Sequence, residues 1–314
     1  MGTAVRTDVR WSQQPVAVEV PASAANLGPG FDSFGLALSL RDRVEIEATP
    51  TGLDVEVDGA GAEDLPRDES HLVVRAVHSA FDALGARPGG LRLRCRNRVP
   101  HGRGLGSSAA AIVAGLVAAR ELARRSGVRT DALDDAGLLQ LATDLETHPD
   151  NVAAGLLGGF TVAWRGRDGV RAVRLDPDVS VLVIVPADSV PTAVTRQLLP
   201  DQVPHRDAAA NSARAGLLVA AMTGLPELLH AATEDRLHQD YREPALPASL
   251  RLVRTLRDAG HAAVVSGAGP ALLVLRGGAG VLPGGELIDM LATEAPEWTP
   301  LPLDVDLVGA RVLP

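Results

Sequence analysis

The sequence contains no lysine: all 30 of its basic residues are arginine, set against 39 acidic residues in a chain of 314. Without lysine there is no Schiff-base nucleophile, no usual anchor for pyridoxal phosphate, and no phosphate loop of the G-x-x-x-x-G-K-[ST] form. A GC-rich coding sequence accounts for such a bias, and the chemical exclusions hold whatever its origin. Cysteine is nearly absent as well. Cys95 alone permits no internal disulfide and no cysteine-based metal cluster, which fits a reducing cytoplasm. Aromatics are scarce, at three Trp, one Tyr and four Phe, so aliphatic side chains must fill the core that a 46% hydrophobic content allows. A net charge of −9 argues against nucleic acid or an anionic membrane as the main partner. The longest apolar run, 109–119, is too short to span a bilayer. The opening MGTAVRTDVRWSQQ lacks the apolar stretch of a signal peptide, and Arg6 stands where a myristoylation signal has Ser or Thr. A cytoplasmic protein of about two domains is expected.

Runs at 16–20, 44–47, 53–57 and 91–96 alternate apolar and polar residues, the period of half-buried antiparallel strands, and the first ends at Pro21. The stretch ASAANLGPGFDSFG that follows is too rich in Gly, Asn and Pro to be regular throughout. Ser70 is expected to cap a helix reaching about 84, followed by a long apolar helix over about 107–125 and another over 131–146. Strands are expected at 159–164, 181–185, 262–266, 271–275 and 303–307. Two or three helices fall within 190–233, with further helices at 249–258 and near 284–293. Paired strands with helices grouped between them point to α+β layers. The polar turn 165–170 suggests a boundary between units 1–168 and 169–314.

The most informative segment is Pro100-His-Gly-Arg-Gly-Leu-Gly-Ser-Ser-Ala-Ala-Ala. Glycines at 102, 104 and 106 allow positive φ and a run of presented N–H groups, and the serines then begin an alanine-rich helix. A helix N-terminus behind such a loop suits a polyphosphate, and a serine hydroxyl there can bind Mg²⁺. A plain turn with one serine cap needs neither three glycines nor two serines. A serine-hydrolase elbow would need a strand directly before the serine, where this chain has Pro, His and glycines. The spacing is not the dinucleotide fingerprint either.

P-x-x-x-G-L-G-S-S-A-A resembles the second signature of the GHMP small-molecule kinases. Two further stretches resemble the family's other signatures, Pro21-Ala-Ser-Ala-Ala-Asn-Leu-Gly-Pro-Gly-Phe-Asp-Ser-Phe-Gly35 and Ser266-Gly-Ala-Gly-Pro-Ala-Leu-Leu273. The resemblance implies a two-domain α+β fold, with an N-terminal, ATP-binding half like domain 2 of ribosomal protein S5 and a ferredoxin-like α/β C-terminal half. It implies ATP held by Pro100, Gly102, Arg103, Gly104, Leu105, Gly106, Ser107 and Ser108, and Mg²⁺ held by Ser108 and Glu146. Base contacts are expected between 55 and 72.

Within that family the first signature carries P-A-S-A-A-N-L-G-P-G-F-D rather than a G-E-H type segment, which resembles the homoserine-kinase branch. Asp144-Leu-Glu-Thr-His-Pro-Asp-Asn151, Pro191-Thr-Ala-Val-Thr-Arg196 and Leu237-His-Gln-Asp-Tyr-Arg242 are similar to that branch in the same order. The resemblance implies homoserine as the small-molecule substrate, contacted by Asn26, Asp32, His148, Thr192, Arg196, Arg242 and Gly267, with Asn151 near the reacting hydroxyl. Guanidinium groups match a carboxylate bidentately, and an Asp suits an ammonium. His148-Pro-Asp-Asn also reads as a helix stop, and the Gly267 segment as a hairpin turn. No base is expected, Asp150 included: catalysis rests on alignment and charge neutralisation. Another kinase of the family, or a catalytically silent ATP- or amino-acid-binding regulator on the same fold, is the alternative. Beyond the substrate, the expected partners are no nucleic acid, no membrane and at most a second copy of the chain.

Overall fold

The computed structural model describes residues 9–278, 280 and 284–314, so the reading of positions 1–8 lies outside the described residues. In chain order, β1 (Val16–Ala25), β2 (Phe34–Thr49), β3 (Gly52–Gly59), β4 (Gly90–Asn97), β5 (Phe160–Gly166) and β6 (Gly169–Leu175) form a first sheet. A second sheet takes β7 (Val179–Val185), β8 (Ala262–Val265), β9 (Leu272–Gly277) and β10 (Thr299–Leu303), before Arg311–Val312 returns to the first as β11. Helices α1 (Leu72–Leu84), α2 (Ser107–Arg125), α3 (Asp135–Glu146) and α4 (Pro149–Leu157) pack on one face of the first sheet. Then come α5 (Thr192–Gln197), α6 (His205–Thr223), α7 (Leu229–Ala232), α8 (Pro247–Asp258) and α9 (Gly285–Glu294). Among the described residues no helix is long and apolar enough to cross a membrane.

Alternation sets the first sheet's faces. Val16, Val18, Val20, Val44 and Ile46 point to the helices, while Arg92 and Arg94 on the other face pair with Glu47, Asp54 and Glu56. Such exposed pairs fix register more than they stabilise, at about 0–1 kcal/mol each. β3 runs parallel to β4, against the antiparallel expectation, because α1 crosses over between them. β1 does not stop at Pro21. It continues to Ala25 after a register shift at Pro21/Ala22, a bulge that absorbs the missing donor and carries Ser23 and Ala25 towards the site.

Several local expectations need correction. α1 is capped by His71, whose Nδ1 accepts from the Val73 N–H, while Ser70 bonds Asp68 instead. The 131–146 helix is a short 3₁₀ turn, Asp131–Leu133, followed by α3 capped by Asp134. The helix stop read at His148-Pro-Asp-Asn is present, since α3 ends at Glu146 and Thr147 turns the chain at φ +78°, but the segment also starts α4, with Pro149 in its first turn. The 165–170 turn is the tip of the β5–β6 hairpin, so a division at 168/169 falls between two paired strands; the chain changes sheets between β6 and β7.

The second sheet is antiparallel in the order β10-β7-β9-β8, the ferredoxin-like arrangement. β7 is buried on both faces: Val181 and Val183 join Leu36, Phe160 and Met222, whereas Leu182 and Ile184 meet α8 and α9. The last strand is not at 303–307. Thr299–Leu303 forms the edge strand, where Pro300 and Pro302 are tolerated, and 304–306 runs beside Ala37 and Ser39.

Candidate active site

The start of α2, the chain around Asn26 to Asp32 and the loop after β8 enclose a cleft of about 340 Å³. Gly102, Gly104 and Gly106 adopt φ of +65°, +76° and +68°. A methyl group at Gly104 would collide with the Ser266 carbonyl, and one at Gly106 with the Ser23 hydroxyl, so the loop is clasped between the first and last signatures. Gly106 is the N-cap of α2 and no side chain caps the helix, so its first N–H groups stand free of side-chain acceptors where Ser107 and Ser108 line the cleft. The loop's root is tied to β2 by Asp42, which accepts from the Arg98 and Val99 N–H groups at 2.6 and 2.9 Å. Burial pushes the Asp42 carboxyl up, against the pull of those two bonds.

Every residue expected in the site lies on the wall of this cleft except Arg103. Its Nε donates to the Pro186 carbonyl at 3.0 Å, NH1 to that of His101 at 2.8 Å, and NH2 to that of Ala187. Its charge fastens the loop to the end of β7.

The Ser108 hydroxyl donates to Glu146 Oε1 at 2.6 Å, across the gap between the start of α2 and the end of α3. Burial raises the Glu146 carboxyl. Asn151 Oδ1 accepts from the Ser23 hydroxyl at 2.9 Å. Asp32 and Arg196 form a two-pronged ion pair, at 2.7 and 3.2 Å. Asn26 is occupied within the protein: its Nδ2 donates to the Gly267 carbonyl at 2.9 Å and its Oδ1 accepts from the Asp32 N–H at 3.0 Å. Arg242 NH1 donates to the same carbonyl at 2.9 Å. His148 sits between α3 and α4 with Nδ1 2.9 Å from the Thr147 hydroxyl, and burial together with the Arg196 charge lowers its pKa. Thr192 opens α5 at the rim.

Part of the cleft wall is apolar, formed by Val44, Leu65, Leu72, Val73, Cys95 and Ala111. The 55–72 segment therefore supplies only part of it. Burial pushes the Cys95 thiol up to about 12, which keeps it an inert wall. Sequence reasoning missed Ser23, Asp42, His71 and Asp150, all of which face or support the cleft. Asp150 adjoins Asn151 and a Pro at a helix start, a usable signal; the others depend on burial.

A phosphate-suited helix start facing a paired Asp and Arg defines a small-molecule kinase site, and residues 71–159 match the family described as GHMP kinases N terminal domain. The chain is 52% identical over 301 residues to the homoserine kinase of Streptomyces coelicolor, covering 95% of this chain and 94% of that one. It is likewise 52% identical over 301 residues to the homoserine kinase of Streptomyces avermitilis, covering 95% and 96%. The crystal structure of homoserine kinase from Cytophaga hutchinsonii superimposes with a TM-score of 0.80 at 25% identity, covering 98% of this chain and 100% of that chain. The chain belongs to the homoserine kinase family and has the two-domain GHMP kinase fold.

Proposed function

We infer that the chain transfers the γ-phosphoryl group of ATP to the side-chain hydroxyl of homoserine, giving O-phosphohomoserine and ADP, a step of threonine biosynthesis. One observation carries the reading: the start of α2, with Ser107 and Ser108, and the Asp32–Arg196 pair face the same cleft. The bond that forms joins the homoserine oxygen to phosphorus, the bond that breaks is the β–γ bridge, and the hydroxyl proton leaves to solvent. Such a transfer asks the protein for alignment and charge neutralisation rather than covalent chemistry.

The loop N–H groups and the positive end of α2 hold the triphosphate, which a chain without lysine must do through backbone. Two hard oxygens, of Ser108 and Glu146, fit Mg²⁺, and among the described residues no group of three or more His, Cys, Asp and Glu offers another metal centre. Mg²⁺ bound there neutralises phosphate charge. Asn151 orients the acceptor hydroxyl. Homoserine matches the Asp32–Arg196 pair charge for charge: its ammonium suits Asp32, and its carboxylate suits Arg196 with Arg242. Asn26 and Gly267 shape the loop beside it, and His148 and Thr192 flank it. The one protein partner proposed is a second copy of the chain, and the compartment is the cytoplasm, in line with a single buried free thiol.

Purified chain with ATP and Mg²⁺ should release ADP with homoserine and not with mevalonate, galactose or shikimate. Turnover of mevalonate without homoserine would overturn the assignment, and homoserine binding with no turnover would favour a silent regulator.

A further inference from the structure

His238 is fully buried and takes no part in the chemistry above, yet it touches both the first-signature loop and one arginine of the proposed substrate clamp. Its Nε2 lies 2.8 Å from the Gly28 carbonyl oxygen and its Nδ1 lies 3.1 Å from Arg242 NH1. A carbonyl can only accept and a guanidinium can only donate, so the ring carries its proton on Nε2 and is neutral. Protonating Nδ1 would set one N–H against another. Asp235, itself buried, orders the backbone here by accepting from the N–H groups of Leu237, His238 and Gln239 at 3.0, 3.1 and 2.8 Å.

Phe31 closes the cluster. Its ring stacks on His238 at 5.1 Å and 24°, and it lies 5.4 Å from the Arg196 guanidinium and 5.8 Å from that of Arg242. Arg242 is 1% exposed and gives both NH1 hydrogens to His238 and Gly267, while its buried Nε–H has no partner. The guanidinium is therefore locked by one nitrogen and leaves other donors for an anion in the cleft. Losing the imidazole would leave a single bond, to Gly267, and free the group to turn.

We propose that His238 is a positioning residue for substrate recognition: as a neutral imidazole stacked on Phe31, it ties Arg242 to the Gly28 loop and fixes the guanidinium that receives the substrate carboxylate. The proposal rests on the reading that Arg242 meets that carboxylate. The effect is expected on the acceptor side, because the hydrogen bonds and ring contacts of His238 and Phe31 run to Gly28, Arg196 and Arg242.

The test compares homoserine with its carboxamide, which lacks the negative charge, in steady-state assays. His238→Ala should cut the preference for homoserine over the carboxamide, in kcat/KM, by about tenfold or more, with the KM for ATP within about twofold of the parent. His238→Gln, which carries both a donor and an acceptor, should recover part of the preference. Arg242→Ala should abolish most of it. Unchanged preference in Arg242→Ala would overturn the carboxylate reading itself; a collapse there with full preference in His238→Ala would overturn the role of His238 alone. Nitrogen NMR of the unmodified, histidine-labelled protein gives a readout independent of variant folding. It should show His238 as the neutral Nε2–H tautomer, and a Nδ1–H or doubly protonated ring would refute the proposal.

Discussion

Asp150 is 3% exposed at the start of α4, and burial, aided by the charges of Asp32 and Glu146, pushes its carboxyl up to about 7. The Asn151 N–H bond, at 2.7 Å, offsets only part of that. A carboxyl raised above its ordinary 3.8 contributes stability that is complete at low pH and lost as pH climbs towards about 7. Asp150→Asn keeps an acceptor for that N–H and removes the buried charge. Its melting temperature should exceed the parent's at about pH 8 and converge with it at about pH 4, because only the parent ionises between them. Thermal melts across that range check this, and a variant less stable than the parent at the alkaline end would contradict it. The shift is not legible in the sequence, where Asp150 stands in a segment that reads as a helix stop and is not expected to act as a base. Arg103 misled for the complementary reason: its place in the loop suggests a phosphate contact, but the Pro186 and Ala187 carbonyls that take its hydrogens are far away in sequence.

At the scale of elements, the glycine-serine loop and α2 were the most legible, because helix starts and positive-φ turns are set by neighbouring residues; α2 begins at Ser107 and ends at Arg125 as expected. Strand partners were not, since register depends on distant chain. The parallel β3–β4 pairing, the continuation of β1 past its bulge, and the edge strand β10 all follow from packing that periodicity does not contain. The loop allows a direct comparison of strain with function. Gly104 and Gly127 have nearly the same φ, +76° and +75°, but a methyl at Gly127 meets nothing within 4 Å whereas one at Gly104 runs into the Ser266 carbonyl. Gly127→Ala should cost about 1–2 kcal/mol of stability through its φ alone and leave kinetics intact. Gly104→Ala should cost more and lower kcat/KM for ATP by about tenfold or more, as the loop is pushed off the last signature. Equal kinetic behaviour of the two variants would show that clasping of the loop does not matter.

Across the whole molecule, segments from three regions meet at one atom: the Gly267 carbonyl, just past β8, accepts from Asn26 of the first signature and from Arg242. The sheets are joined by a shared core of Leu36, Phe160 and Val183, so the cleft lies over a packed seam. The order of the signatures along the chain foretold which segments would gather. It did not foretell that Asp32 and Arg196 would be paired, or that Arg242 would be held by His238. The absence of lysine fits this architecture: phosphate falls to backbone N–H groups and a helix start, and the amino-acid end to arginine. The most direct measurement is a crystal structure with a non-hydrolysable ATP analogue, Mg²⁺ and homoserine. The account predicts the triphosphate on the N–H groups of Ser107 and Ser108, with the homoserine carboxylate on Arg196 and Arg242 and its hydroxyl beside Asn151. Triphosphate bound away from the start of α2, or homoserine with its carboxylate turned from both arginines, would contradict it.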